Sequence, residues 1–319
     1  MSSVTRREVL GGAALLGVGA LAGHAFASPS RLKKPGFRFA HLTDLHIKGH
    51  QCGQSVRRAF RHAVDRPHRP DLIVTGGDLV YDAMYGNERC VDRQWRHVSR
   101  AFHAERSVPI EHILGNHDIW GIDRDKSQTK GNEPLYGKKW AMQVLNMPQT
   151  YRSFDRGGWH FVLLDDVQAL PEQKTYEARL DEAQFQWLGN DLASLKSTTP
   201  VIVLSHVPIL GASVFFPPQT SQDSSKWALP FSMMHGDAHR IVELFARHPN
   251  VKLCLSGHTH LIDKVEYKGV TYLCNGAVSG NWWNGPFQGF PPGYSMIDLF
   301  PDGTFSSEFQ DYRLAPEIA

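Results

Sequence analysis

The stretch VPIEHILGNHD, residues 108–118, joins an apolar run to three consecutive polar side chains. The apolar run has the composition of a buried strand. The strand then stops on Asn116, His117 and Asp118, and a turn alone would explain that stop because Asn and Asp favour turns. A single stop of this kind carries little information, so its meaning depends on whether other strands end in the same way.

The same kind of ending follows four other apolar runs of the chain. The polar residues at the five ends are Asp44 and His46 in FRFAHLTDLH, Asp78 in DLIVTGGD, Asn116, His117 and Asp118 in EHILGNHD, His206 in VIVLSH, and His258 and His260 in VKLCLSGHTH. In α/β sheets, ligands collect beyond the carboxyl ends of the strands. Five endings that all carry oxygen or imidazole donors therefore indicate one common site rather than five independent turns.

Taken in chain order, the endings D-x-H, G-D, G-N-H-D, H and G-H-x-H resemble the full signature of the calcineurin-like metallophosphoesterase family. The resemblance covers residues 37 to about 275, and no signature position is missing. It implies an α/β (α+β) fold, a four-layer αββα sandwich with two mixed β-sheets flanked by helices. It also implies an enzyme that hydrolyses small-molecule phosphoric esters, as a phosphodiesterase or a phosphatase.

The resemblance further implies two transition-metal ions, Mn, Fe or Zn, held by seven residues. By motif position, the first metal takes Asp44, His46 and His260, the second takes Asn116, His206 and His258, and Asp78 bridges both. The residue types suit this role, because two cations about 3.5–4 Å apart need a shared anionic ligand and a carboxylate can bridge. Nitrogen and oxygen ligands without thiolate favour these metals over copper(I) or iron–sulfur clusters.

In the family, the last two residues of the G-N-H-D motif are catalytic. Two metals lower the pKa of a bridging water, so a hydroxide forms near neutral pH and attacks phosphorus. The resemblance assigns His117 as the general acid that protonates the leaving oxygen. It assigns Asp118 as the residue that holds the ring of His117, as a carboxylate does toward a catalytic imidazole.

The combination of D-x-H with G-N-H-D resembles cyclic-nucleotide phosphodiesterases about as well as generic phosphatases. Two alternatives to the hydrolase function also stay open. One alternative is a monoesterase like the purple acid phosphatases, in which a Tyr at the position of Tyr81 binds ferric iron. That branch lacks the His of the first motif, and His46 is present here, so Tyr81 is expected to pack instead. The other alternative is a periplasmic phosphate-ester-binding protein with an inert site. His117 argues against it, because a binding protein needs no leaving-group acid.

A second unusual stretch is SGNWWNGPFQGFPPGYS, residues 279–295, with the adjacent tryptophans Trp282 and Trp283. Exposed aromatic side chains are costly unless they pack or bind a ligand. One interpretation is that the pair binds substrate by stacking on the organic part of a phosphoester. The other is that one of the tryptophans pins the loop to the core, and the sequence does not decide between them.

Residues 1–27 are predicted to be an export signal, followed by a metallophosphoesterase domain at 28–319. Arg6 and Arg7 precede an apolar stretch at 9–23, and Ala25-Phe26-Ala27 forms a small-residue cleavage site. The segment 5–10 resembles the twin-arginine export motif. The apolar stretch has 15 residues with five glycines, short of the roughly 20 that a spanning helix needs. We therefore expect a periplasmic or secreted protein without a stable membrane anchor.

Composition excludes several other classes of protein. The 319 residues are 41% hydrophobic and 21% charged, which is typical of a soluble globular domain. Lys and Arg number 34 against 32 Asp and Glu, so there is no electrostatic footprint for nucleic acid. The chain has no C-x-x-C motif, and Cys254 and Cys274 lie in apolar runs, where buried free thiols are expected.

Periodicity predicts the elements that carry these motifs. Strands are predicted at residues 37–43, 71–75, 110–114, 160–164, 201–204 and 251–255, helices at 53–64, 88–105, 181–195 and 237–247, and hairpins at 262–275 and 294–312. The segments 176–182 and 213–226 are expected to be loops that line a site. His41 and His112 are expected to pack inside strands, and Asp165 and Asp166 either support the site or form a turn. His235 lies in a predicted loop, from which it could reach the mouth of the site, but it is expected to be solvated.

Overall fold

Two large mixed β-sheets pack face to face in the computed structural model, which describes residues 34–65, 69–103, 107–216 and 228–313. In chain order the strands are β1 (Phe37–Leu42), β2 (Leu72–Gly76), β3 (Ile110–Ile113), β4 (Arg152–Arg156), β5 (Trp159–Leu163), β6 (Val167–Leu170), β7 (Thr175–Ala178), β8 (Val201–Leu204), β9 (Val251–Ser256), β10 (Ile262–Tyr267), β11 (Val270–Asn275), β12 (Tyr294–Leu299) and β13 (Phe305–Gln310). The helices are α1 (His50–Val64), α2 (Glu88–His103), α3 (Arg124–Ser127), α4 (Lys139–Leu145), α5 (Glu182–Ser194) and α6 (Ala238–Ala246).

Strand order explains why the polar strand ends come together. The first sheet has the order β13-β12-β1-β2-β3, and the second has the order β10-β11-β9-β8-β5-β4. The strands β1, β2 and β3 run parallel, as do β11, β9, β8 and β5. The outer strands pair antiparallel with their neighbours. Because parallel strands finish at the same edge of a sheet, each sheet gathers several strand ends on one side.

The main core lies between the two sheets. It contains Phe39 and Ile297 from the first sheet and Phe161, Leu204 and Leu255 from the second. Helices α1 and α2 pack on the outer face of the first sheet, and α5 and α6 pack on the outer face of the second. Both faces of the central strands are thus covered, which is why their sequences are nearly continuous apolar runs. The predicted four-layer αββα sandwich is confirmed.

Helical periodicity located four of the helices correctly, within a few residues at each end. Helix α1 shows why, because it buries Val56, Ala59, Phe60 and Ala63, which are spaced three and four residues apart. This spacing puts all four side chains on the face toward the sheet. The shorter helices α3 and α4 have no such long periodic stretch and were not predicted.

The loop predicted at 176–182 is wrong. Its first residues belong to β7, which pairs antiparallel with β6 as a separate two-stranded sheet, and its last residue begins α5. The carboxylate of Asp181 accepts a hydrogen bond from the Gln184 N–H and so caps α5. The strands β6 and β7 have four residues each and are mostly half-buried, so the apolar pattern is too short to identify them. The strand β4 was missed because its sequence RSFDR is largely polar and none of its five residues is buried.

Several single-residue predictions are confirmed. The Nδ1 atom of His41 is 2.9 Å from the Asn275 side chain, and Nδ1 of His112 is 2.8 Å from the Thr75 hydroxyl. Both histidines therefore serve packing and hydrogen bonding inside the sandwich. All four cysteines are free thiols, and those on β9 and β11 are buried.

The amino terminus and part of a second predicted loop lie outside the described ranges. The predicted signal at 1–27 is among these residues, so export stays a prediction. Of the segment 213–226, the structure describes a short 3₁₀ helix at Ser213–Phe215 and the residue after it. Within the described ranges, no helix is long and apolar enough to cross a lipid bilayer.

Candidate metal centre

The signature residues meet at the edge where the parallel strands of both sheets end. Strands β1, β2 and β3 lead into the first three motifs, and β8 and β9 lead into the last two. All seven predicted metal ligands lie at this edge: Asp44, His46, Asp78, Asn116, His206, His258 and His260. The strand order thus places the five polar endings of the sequence in one location.

The first cluster consists of Asp44, His46 and His260, which are all buried. Each offers one ligand atom, and these three atoms lie within 4.8 Å of one another. Nε2 of His46 is 3.1 Å from Nε2 of His260, and Oδ1 of Asp44 is 3.3 Å from Nε2 of His260. This is the ligand set predicted for the first metal.

The second cluster centres on Nε2 of His206. This atom lies 3.3 Å from Oδ2 of Asp78 and 3.3 Å from Nδ1 of His258. It is also 3.2 Å from Oδ1 of Asn116. These are the donors predicted for the second metal.

The carboxylate of Asp78 reaches both clusters. Its Oδ2 atom, which approaches His206, is also 3.7 Å from Nε2 of His46. Its Oδ1 atom accepts a 2.8 Å hydrogen bond from the backbone N–H of His117. This placement matches the predicted bridging position.

The hydrogen bonds of the histidine rings test whether cations fit these clusters. Nδ1 of His206 is 2.8 Å from the Gly76 carbonyl, and Nδ1 of His260 is 2.5 Å from the Gly280 carbonyl. A ring nitrogen that donates to a carbonyl leaves the opposite nitrogen with a free lone pair. Lone pairs of imidazole, carboxylate and amide groups therefore converge in both clusters, which fits two metal ions with nitrogen and oxygen ligands.

The buried carboxylates of the two clusters also favour positive charge at the site. Burial alone would lower the pKa of His206, but Asp78 and Asp44 outweigh it and raise that pKa to about 10. Burial alone would raise the pKa of Asp78, yet His206 and His117 hold it well below its ordinary value. The pKa of His258 is lowered to about 4, chiefly by burial. The carboxylates thus stabilise a positive charge inside the site, and a bound cation would supply such a charge.

The backbone at the ligands is strained. Five of the seven predicted ligands have a positive φ: Asp44 at 57°, His46 at 41°, Asp78 at 53°, His258 at 69° and His260 at 59°. Residues other than glycine rarely adopt this conformation, and such strain is concentrated at functional sites. The sharp change of direction after each strand aims the side chain back across the strand ends.

Two signature glycines make room for the carboxylates. A Cβ atom on Gly115 would lie 2.2 Å from Oδ1 of Asp78. A Cβ atom on Gly257 would lie 2.3 Å from Oδ2 of Asp44. Only glycine allows the backbone this approach, which explains why glycine precedes the polar residues in G-N-H-D and G-H-T-H.

The side chain of His117 lies beside the clusters but outside the ligand set. Its ring centroid is 5.1 Å from that of His46, and the two rings are nearly perpendicular. Its Nδ1 atom is 3.8 Å from Oδ1 of Asp82, and the side chain is 15% exposed. Burial lowers the pKa of His117, but Asp78 and Asp82 outweigh this effect and raise the pKa above its ordinary value. A protonated ring at this position suits a proton donor.

The prediction that Asp118 holds the ring of His117 is wrong. Oδ1 of Asp118 accepts hydrogen bonds from the backbone N–H groups of Leu79 and Val80, at 2.8 and 3.1 Å. Oδ2 accepts one from Gly115 at 2.9 Å. Asp118 therefore ties the chain after the bridging carboxylate to the chain before Asn116, while Asp82 faces the ring.

The family model for calcineurin-like phosphoesterases matches residues 37–261. The chain belongs to this family. A 3',5'-cyclic adenosine monophosphate phosphodiesterase from Escherichia coli K12 is 24% identical over 299 residues, which cover 88% of this chain and 93% of that protein. A probable cyclic nucleotide phosphodiesterase from Synechococcus is 26% identical over 278 residues, which cover 84% and 90%. The protein is thus a metallophosphoesterase, a hydrolase of phosphoric esters.

Solved structures show the same fold. A dimetal phosphatase from Danio rerio superposes with a TM-score of 0.61 at 16% identity, over 88% of this chain and 97% of that chain. At this identity the likeness concerns the fold alone. The two mixed sheets and their flanking helices are therefore those of a known phosphatase architecture.

The loop of this phosphoesterase that carries the two tryptophans, residues 278–293, is hydrogen-bonded to the first cluster. The backbone N–H groups of Val278 and Ser279 donate to the carbonyls of Thr43 and Asp44. The Gly280 carbonyl, also from this loop, accepts a hydrogen bond from Nδ1 of His260. The loop therefore holds both the backbone and a side chain of the first cluster in place.

The two tryptophans of the phosphoesterase have different surroundings. The indole N–H of Trp283 donates to the His46 carbonyl at 2.9 Å, and its ring packs against the core beneath α1 and α2. The ring of Trp282 stacks on the His46 ring at 3.7 Å and meets the His117 ring edge-on at 4.8 Å. Trp283 thus pins the loop, and Trp282 lies over the first cluster next to His117.

Two tyrosines also border the phosphoesterase site. The ring of Tyr81 packs edge-on against Trp282 at 5.3 Å and lies under Nζ of Lys48 at 4.5 Å, in keeping with the predicted packing role. The ring of Tyr176, on β7, meets the His258 ring at a right angle, 6.3 Å away. The segment 176–182 was expected to line a site, and Tyr176 does border it, although this residue belongs to a strand and not to a loop. Asp82 could have been noticed as the next carboxylate after Asp78 in GDLVYD.

Proposed function

We propose that the protein is a phosphodiesterase with two bound transition-metal ions that acts on cyclic nucleotides or closely similar diesters. The observation that carries the proposal is the position of Trp282 over the first cluster and against His117. An aromatic surface next to a proton donor suits a diester whose leaving oxygen belongs to a nucleoside. The proposal is supported by relatives that are named as cyclic nucleotide phosphodiesterases and match over most of both chains.

Each cluster would hold one ion, Mn, Fe or Zn, with the Asp78 carboxylate between them. When bound, the ions would lower the pKa of a water molecule and neutralise charge on the phosphoryl oxygens. His117 would donate a proton to the leaving oxygen. Since its Nδ1 faces Asp82, Nε2 is the nitrogen that remains for the substrate. Asp82 would keep the ring in that orientation, as a carboxylate does for other catalytic histidines.

The proposal is tested with purified, manganese-loaded protein and a panel of matched esters. We expect about two metal ions per chain by elemental analysis, as a two-metal phosphoesterase site requires. We also expect faster turnover of 3',5'-cyclic AMP than of the monoester 5'-AMP, with AMP accumulating as the product. Turnover of monoesters alone would favour the monoesterase alternative. Two bound ions with substrate binding but no turnover would favour the binding protein.

Replacement of the two tryptophans should give different results. Trp282→Ala should raise KM for cyclic AMP on the order of tenfold, since stacking of one base on an aromatic ring contributes about 1–3 kcal/mol. It should change KM for methyl phosphodiesters far less. Trp283→Ala should instead lower the unfolding temperature and affect all esters alike, because that side chain packs against the core. Equal KM effects of Trp282→Ala on all esters would contradict the stacking role.

We propose that the protein is exported by the twin-arginine route, on the basis of Arg6, Arg7 and the cleavage site ending at Ala27. Replacing both arginines with lysine should leave the uncleaved precursor in the cytoplasm. Mass spectrometry of the wild-type protein outside the cytoplasm should find an amino terminus at Ser28. Export of the double variant at the wild-type level would contradict the proposed route.

A further inference from the structure

The segment that carries His206 is held by a buried carboxylate from outside the ligand set. Asp166 follows β5, and its Oδ1 accepts a 2.9 Å hydrogen bond from the His206 N–H. Its Oδ2 accepts a 2.8 Å hydrogen bond from the Val207 N–H. Asp166 is 0% exposed, so both bonds are formed away from water. The carboxylate therefore fixes the backbone on which the central ligand of the second cluster stands.

The residue behind Asp166 is His235, which is buried and not solvated as its loop position predicts. Its Nε2 is 3.2 Å from Oδ2 of Asp166, and its Nδ1 is 3.1 Å from Oδ1 of Asp237. The backbone N–H of His235 donates to the Pro208 carbonyl at 3.1 Å. His235 thus contacts the His206 segment twice, once through Asp166 and once through its own backbone.

Asp237, on the other side of the His235 ring from Asp166, connects these residues to helices α5 and α6. Its Oδ2 accepts a 3.0 Å hydrogen bond from the Leu180 N–H, next to the start of α5. Asp237 also directly precedes α6. A histidine whose two ring nitrogens both face carboxylates donates from both and carries a positive charge. Burial would lower the pKa of His235, but Asp166 and Asp237 outweigh it and raise the pKa to about 9.

We propose that Asp166, His235 and Asp237 form a positioning relay that fixes the His206 backbone and so sets the affinity of the second cluster for its ion. The proposal rests on the two-metal centre of the proposed function. Nε2 of His235 faces Oδ2 of the buried Asp166 carboxylate, which in turn accepts hydrogen bonds from both backbone N–H groups of the His206 segment. Without His235, the Asp166 carboxylate would lose its side-chain partner and would no longer be held in position against the His206 segment.

A matched control exists elsewhere in the chain. His160 is also buried, with Nδ1 at 2.7 Å from Oδ1 of Asp155 and Nε2 at 2.9 Å from Oδ2 of Asp191. It stands near the start of β5, opposite Val201 of β8, whereas His206 follows the other end of β8. His160→Gln therefore makes the same chemical change as His235→Gln without touching the His206 segment.

The experiment measures metal ions per chain in the full-length protein against a series of buffered free Mn²⁺ concentrations. For His235→Gln we expect the affinity for one ion to fall about 10–100-fold, as is typical when an outer partner of a metal ligand is lost. The affinity for the other ion should stay at the wild-type value. His160→Gln should bind both ions as the wild type does. Asp237→Asn keeps the side-chain size and should cause a smaller loss at the same ion, which covers the case that His235→Gln does not fold.

The outcomes separate this proposal from the proposed function. Wild-type affinity for both ions in His235→Gln and Asp237→Asn, or an equal loss in His160→Gln, would overturn the relay. A loss that affects both ions equally would also overturn it, because that result indicates general destabilisation. Fewer than two ions in the wild-type protein would refute the two-metal centre itself. Two ions without hydrolysis of diesters would refute the substrate class and leave the relay standing.

Discussion

Asp78→Asn is expected to remove metal and activity together. Oδ2 of Asp78 is 3.3 Å from Nε2 of His206 and 3.7 Å from Nε2 of His46, so one carboxylate serves both clusters. Asparagine keeps the size and one oxygen of the side chain but removes the charge that two cations would share. Loss of an outer partner of a metal ligand already costs about 10–100-fold, so loss of the shared ligand should lower kcat by more than 100-fold. Elemental analysis of the same sample should show less metal per chain.

A control for this variant is available at the other end of the same strand. Asp71 directly precedes β2, whereas Asp78 follows it, and the Asp71 carboxylate accepts a 2.9 Å hydrogen bond from the Arg38 N–H. Asp71→Asn makes the identical change at the opposite end of the strand and should keep both metal and activity. If Asp78→Asn retained two ions and wild-type turnover, the bridging assignment would be wrong.

The residues that were predictable from sequence are those whose position follows from a single strand. A central strand covered on both faces is a nearly continuous apolar run, so its end is visible in the sequence. The polar residues just beyond four such strands, and beyond the edge strand β3, supply the candidate ligands of both clusters. The glycines before Asn116 and His258 are visible for a related reason, since the backbone at these positions contacts the carboxylates of the partner motifs.

The residues that were missed depend on contacts between distant parts of the chain. The segment 176–182 was expected to line a site, but the partner of Tyr176 was not predictable, because the contact with His258 depends on where the β6–β7 hairpin packs. The roles of Asp82 and Asp118 were confused for a similar reason. Adjacency in G-N-H-D places Asp118 next to His117, but the short 3₁₀ helix at Asn116–Asp118 turns the Asp118 carboxylate toward backbone N–H groups.

His117→Ala should separate proton donation from metal binding. The hydrogen bond between His117 and Asp78 is made by the backbone N–H, which alanine keeps. Both ions should therefore remain. The lost function is protonation of the leaving oxygen, which typically contributes about 10²–10⁴-fold. An alkoxide needs that proton, whereas a nitrophenolate departs with little protonation. We expect kcat for alkyl phosphoesters to fall by about 10²–10⁴ and kcat for nitrophenyl esters to fall far less, at unchanged metal content.

Variants of the two nearby carboxylates should show which of them supports His117. Asp82→Asn should give a milder form of the same pattern, because Oδ1 also accepts from the Tyr85 N–H and asparagine preserves that bond. Asp118→Asn should instead lower the unfolding temperature and the metal content, because its carboxylate holds the backbone beside Asp78 and Asn116.

A His117→Ala protein that loses a metal, or slows both ester types by the same factor, would disprove the acid role. If Asp118→Asn reproduced the leaving-group dependence and Asp82→Asn did not, the ring of His117 would be held by Asp118 after all.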